Sequence, residues 1–199
     1  MDLTEGTQQE KIGRSKKMML WFGIGSLIMT FSALLSAFIV SSKQRRDKDW
    51  LSSYELPSAF YVSIVVILLS SLTFILAKKA LKQNNGQMSK IWLLITLVLG
   101  IAFIYVQFEG FKQIIEAGYN FTGPTSNITI SYIYIIAVVH ILHVIAGLIC
   151  IVVVIYNHFK QKYNANNMLG LELAANFWHF VDLLWLVLFL FLYFFRDRI

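Results

Sequence analysis

The sequence predicts an all-α fold: a polytopic membrane protein with five transmembrane helices in one bundle. Three observations carry this. Only 14% of the 199 residues are charged, against roughly a quarter in soluble domains. Hydrophobic residues make up 57%. The charges cluster between apolar runs, and five of these reach the roughly 20 residues a helix needs to cross a bilayer. Lipid cannot satisfy an open backbone, so helices or a closed barrel are required. A barrel needs alternating runs of about ten residues, and unbroken stretches such as VSIVVILLSSLTFILA do not supply them.

The first span is placed at 18–40, behind the basic segment KIGRSKK. Basic residues before an apolar core are shared with signal peptides. This core is longer and has no small-x-small cleavage site after it, so a retained anchor is expected, with 1–17 as a cytoplasmic tail. The second span, 56–77, opens on Pro57, which suits a first turn where a missing N–H costs little. The third is 91–113. The turn-rich GYNFTGPTSN then breaks the chain before the fourth, 128–156. The fifth is 171–195, so 18–199 reads as a single membrane domain.

The one cysteine, Cys150, lies in an apolar run and offers no disulfide or thiolate cluster within the chain. The net charge of +6 fits basic residues flanking spans, and no nucleic-acid partner is implied. Ten of the 17 Lys and Arg fall on the side of the amino terminus. That asymmetry predicts the amino terminus inside and the carboxy terminus outside. The sequons at Asn120 and Asn127 fall in the predicted outer loop.

Ionisable groups at mid-membrane depth need protein neighbours. Glu172, Asn176 and His179 share one stripe of the last span, at i, i+4 and i+7. Asp182 lies about 60° from His179 and roughly 15 Å from the inner end of its helix. The fourth span puts His140 and His143 one turn apart. Neighbouring antiparallel helices bring the two clusters to one depth, with His143–Asp182 or His179–Asp182 as expected pairs. Three histidines and a carboxylate have the donor chemistry for a metal. The structural reading, buried hydrogen-bonding groups that fix helix packing, outweighs it on spacing alone.

Other residues weigh less. Gln107 and Glu109 lie about 200° apart and are expected at the outer interface. His158, Lys160 and Lys162 follow the fourth span, as a solvated basic loop or as lipid headgroup contacts. Trp50 and Trp92 sit near span ends, as an aromatic belt requires. Trp178 and Trp185 share a face with Asp182 and are expected to be packing residues. Ser32, Ala33, Ser36 and Ala37, and Ser70 with Ser71, allow close helix approach.

FWHFVDLLWLVLFLFLYF resembles the carboxy-terminal signature of the cytochrome c oxidase subunit III family. LGLELAANFWHFVD, with Gly170 and Glu172, is similar to the family's approach to its last helix. VVHILHVIAGLI, with His140, His143 and Gly147, resembles its His-x-x-His-Val helix. LGIAFIYVQFEGF and DWLSSYELPSAFYVSIVVILLSS are similar to the preceding elements, so the resemblance runs from Trp50 onward in family order. Many bacterial members have five spans instead of seven. One departure stands out: Ser26 is followed by Leu27, where the family usually carries a glutamate. No role of that carboxylate is carried over.

The resemblance implies a non-catalytic core subunit of a proton-pumping haem–copper terminal oxidase in aerobic respiration. No cofactor is expected in this chain; haem and copper are expected in partner subunits. Oxidase subunits I and II, phospholipids and a larger respiratory supercomplex are the implied partners. The bacterial inner membrane is the implied location. The role implied is to stabilise the catalytic subunit, support proton uptake and hold structural lipids. Two other classes remain open on the residues alone. One is a small transporter or proton channel conducting through Glu172, His179, Asp182 and His143; the other is an intramembrane metalloenzyme. A quinol oxidase or nitric oxide reductase complex is a nearer variant.

Overall fold

The computed structural model describes residues 8–44, 56–118, 121, 128–163 and 168–196. These form five helices: α1 (Gln8–Gln44), α2 (Ser58–Lys82), α3 (Gly86–Glu116), α4 (Ile128–Phe159) and α5 (Leu169–Arg196). All five are long and apolar enough to span a membrane. The helices overrun the expected spans at most ends. α1 does so furthest, because no helix breaker separates its charged start from its apolar run: it has 37 residues, about 55 Å of helix. Residues 8–17, expected as tail, are thus its first turns. Asn120, Asn127 and Trp50 lie outside the described residues, as do Arg45, Arg46, Lys48 and Arg198.

Local sequence explains the helix boundaries. Pro57, whose φ of −53° and ψ of 136° are extended, precedes α2 as its cap residue, and its carbonyl accepts from Phe60 N–H at 3.0 Å. Between α2 and α3 only Gln83, Asn84 and Asn85 intervene, which forces the two helices into an antiparallel hairpin. Asn84 takes φ 57°, a left-handed conformation that asparagine tolerates better than most residues. The Asn85 side chain then caps α3 by accepting from Met88 N–H at 3.2 Å.

Packing closes α2, α3, α4 and α5 into a ring, each touching the next, while α1 lies outside and, among the described residues, packs against α4 and α5. Lipid is as apolar as leucine, so close fit and hydrogen bonds, and not apolar burial, hold such a bundle together. The ring interior is aromatic. Phe60 meets Trp185 edge-on at 5.6 Å, and Phe103 meets it at 5.7 Å. Glycines let large rings in: a Cβ on Gly110 would strike Phe60. One on Gly100 would stand 2.8 Å from Trp178, and one on Gly147 the same distance from its other edge. Trp178 of α5 therefore fills a slot between α3 and α4.

Candidate functional site

Three side chains of α5 meet serines of α2. Trp178 donates its indole N–H to Ser70 Oγ at 3.1 Å. Trp185 donates to Ser63 Oγ at 2.9 Å. Both pairs are seven residues apart on antiparallel helices, so one register serves both. Ser63 Oγ–H in turn donates a hydrogen bond to the Phe60 carbonyl at 2.7 Å. Ser71, one position off that line, meets His179 Nδ1 at 2.6 Å. Farther toward the ends of α2 and α3 facing Glu172, Thr73 and Thr96 share a hydrogen bond of 2.8 Å. Serines expected only to allow close approach are hydrogen-bonding partners as well.

Each candidate of the sequence has a distinct place. His140 is fully buried, stacked on Trp185 with centroids 5.0 Å apart and edge-on to Phe103 at 5.9 Å. Neither of its ring nitrogens has a hydrogen-bond partner among the described residues. His143 bonds the Val139 carbonyl one turn back, at 2.7 Å, and meets Phe31 of α1 edge-on. Asp182 is 4% exposed, and its two oxygens complete no hydrogen bond among the described residues. Ser71 stands beside it, but the well-formed bond of that hydroxyl goes to His179.

Neither expected histidine–aspartate hydrogen bond therefore forms. His179 turns to α2 and His143 to its own backbone and α1, on different sides of the bundle. Among the described residues no three His, Cys, Asp or Glu side chains converge on a common point.

Three further residues differ from expectation. Asn176 is exposed on the outer side of α5, because the stripe it shares with Glu172 and His179 faces away from the ring centre. Gln107, expected at the interface, is fully buried. It lies one turn from Phe103 on the face of α3 that the ring encloses. His158 is 2% exposed, with Nε2 on the Gly86 carbonyl at 3.1 Å. It ties the end of α4 to the start of α3, whereas Lys160 is exposed and lies over the Tyr156 ring at 4.6 Å. Lys162 is exposed beside it. Glu172 sits at the bundle end, 3.6 Å from Lys78 and 4.0 Å from Lys17, and so joins α5 to α2 and α1. Trp92 is half-buried near the start of α3.

One signal in the sequence could have found the serine–tryptophan register. Ser63 and Ser70 repeat at seven residues, as do Trp178 and Trp185, and two such repeats on antiparallel helices match. Gln107 carries no such signal, since the apolar residues of α3 surround it on every face.

This arrangement binds helices to one another. A conduction path is not favoured: Glu172 bridges lysines at the surface, His179 is held by Ser71, and His143 is turned aside. Comparison with known proteins agrees. A "Cytochrome c oxidase subunit 3" of Alkalihalophilus pseudofirmus is 28% identical over 181 residues, 91% of this chain and 87% of that protein. A "Cytochrome bo(3) ubiquinol oxidase subunit 3" of Buchnera aphidicola is 33% identical over 136 residues, 67% of this chain and 68% of that one. The "Cytochrome c oxidase subunit 3" of Bacillus subtilis is 26% identical over 183 residues, 91% of this chain and 86% of its own. The family model described as cytochrome c oxidase subunit III matches residues 6–197, and the chain belongs to that family, a non-catalytic, multi-pass membrane subunit of an oxidase complex.

Proposed function

We propose that this chain assembles beside subunits I and II of a proton-pumping haem–copper oxidase in the inner membrane of a bacterium. There it stabilises the catalytic subunit, supports proton uptake and holds structural phospholipids; haem and copper reside in the partners. The amino terminus faces the cytoplasm, in keeping with the ten basic residues at that end of the bundle. Lys160 and Lys162, exposed at the same end, are placed to meet lipid phosphates. A larger respiratory supercomplex is compatible with the broad lipid-facing surface of α1.

One observation supports this reading best: Trp178, His179 and Trp185 of α5 spend their polar atoms on serines of α2, which joins helices. Relatives of both the cytochrome c and the ubiquinol type occur, so the donor is read by other subunits. The test is purification of the tagged chain in mild detergent with an optical spectrum of the eluate. Haem bands are expected in the complex and not in the separated chain. A chain that elutes without any haem-bearing partner overturns the proposal.

A further inference from the structure

Asp182 and His179 lie three residues apart on α5, so their side chains leave the helix within one turn of each other. Ser71 of α2 reaches both. Its hydroxyl is 2.6 Å from His179 Nδ1 and stands beside the Asp182 carboxyl. The neighbouring Ser70 is taken by the Trp178 indole at 3.1 Å. Phe74, one turn along α2 from Ser71, meets the His179 ring edge-on at 5.9 Å and helps to hold it against that serine.

Two hydrogen-bond directions fit these three groups. In one, His179 Nδ1–H donates to Ser71, and Ser71 donates to an ionised Asp182. In the other, a protonated Asp182 donates to Ser71, and Ser71 donates to a bare Nδ1. Charge decides between them. Asp182 is 4% exposed and lies about 20 Å along α5 from Leu169, inside the membrane-spanning stretch Leu169–Phe194. An ionised carboxylate buried there needs a cation or a full set of donors. It has room for about four hydrogen bonds, and Ser71 could give one.

Among the described residues no cation stands within ion-pair distance of Asp182. Lys78 of α2 and Lys17 of α1 both pair with Glu172. On α4, His143 bonds the Val139 carbonyl, and both nitrogens of His140 are without a partner. A neutral acid, by contrast, has a single O–H to place and no charge to compensate. The well-formed bond of the Ser71 hydroxyl to His179 leaves the lone pairs of Oγ to accept that O–H.

We propose that Asp182 is a proton-binding site: a neutral carboxylic acid whose O–H donates to Ser71 Oγ, while Ser71 donates to His179 Nδ1. His179 is then a neutral imidazole with its N–H on Nε2. The bound proton ties α5 to α2 at a depth where a bare charge would draw water into the bundle. None of this depends on which complex the chain joins.

Infrared spectra of the full chain in lipid bilayers at neutral pH test this, with every aspartate carboxyl labelled with carbon-13. Asp182 is the only aspartate of the sequence inside any of the five spans. A carboxylic-acid C=O band that moves with the label is expected, to be lost in Asp182→Asn and shifted in Ser71→Ala. Nitrogen-15 spectra of the four histidines supply a second reading that needs no variant. The imidazole whose Nδ1 lies close to a serine Cβ should be neutral and protonated on Nε2. Asp182→Asn keeps the size and a donor, so circular dichroism should show the bundle intact; if that variant does not fold, the labelled band and the tautomer of the unaltered chain decide. Carboxylate bands alone from the labelled aspartates overturn the proposal, as does a proton on His179 Nδ1. An acid band that Ser71→Ala leaves in place overturns it too, since the O–H would then have another acceptor.

Discussion

The imidazole of His140 lies on the indole of Trp185, with ring centroids 5.0 Å apart and planes 27° from parallel. The contact is aromatic and not polar, because both imidazole nitrogens lack partners among the described residues. An imidazole and an indole are thus packed together in the buried interior of the ring.

A prediction follows from which half of His140 contributes. His140→Phe keeps a flat ring against Trp185 and removes two unsatisfied nitrogens, so stability should stay level or rise by about 1 kcal/mol. His140→Ala leaves a cavity and should cost about 2–4 kcal/mol. Detergent unfolding of the two variants separates the readings. A His140→Phe loss as large as that of alanine would mean that the nitrogens hold something essential.

The Trp178–Ser70 bond gives a second prediction. Bonds between membrane helices measure about 0.6–2 kcal/mol in coupling. Ser70→Ala leaves the indole N–H without its acceptor, and Trp178→Phe removes both that donor and much of the ring. The double variant should cost less than the sum of the singles by that coupling, read from unfolding midpoints. Strict additivity would show that the 3.1 Å contact contributes nothing.

How much of this was legible beforehand depends on the kind of signal. Five apolar runs fixed five helices, because lipid permits little else. Trp178 and Trp185 were readable as packing residues from their shared face with Asp182. Which helix each polar group would meet was not readable. A helix apolar on every side has no stripe to say which face turns inward, so Gln107 looked interfacial and is enclosed, while Asn176 looked buried and is exposed. Depth alone suggested a histidine–aspartate pair, yet His179 was taken by a serine on α2, which depth could not single out. His158 shows the converse error of distance along the chain. It follows a span and so reads as solvated, but the α2–α3 hairpin brings Gly86 under it.

The slot around Trp178 yields a third prediction. A Cβ at Gly147 would stand 2.8 Å from the indole, and one at Gly100 would also meet Leu148 at 2.6 Å. Overpacking of this kind typically costs about 1–3 kcal/mol. Gly147→Val and Gly100→Val should each lower the unfolding temperature and quench or shift the fluorescence of the displaced tryptophan. Gly25→Val on α1, where a Cβ meets nothing within 4 Å, should do neither. Equal effects at all three positions would trace to helix propensity and not to the slot.

Glu172 supplies the last prediction, in which magnitude decides between two plausible outcomes. It joins three helices through Lys17 and Lys78, which suggests a strong clasp. Yet its side chain is 32% exposed and Lys17 is 56% exposed, so water and salt screen both contacts. Exposed pairs of this kind contribute about 0–1 kcal/mol. Glu172→Gln should therefore change stability by less than about 1 kcal/mol, and the difference should shrink as salt rises from 0.05 to about 0.5 M. Lys17→Gln, which removes only the longer contact, should have a smaller effect than Lys78→Gln. Unfolding curves at two salt concentrations check all three variants. A salt-independent loss of several kcal/mol would mean that a partner chain buries this end of the bundle and removes the screening.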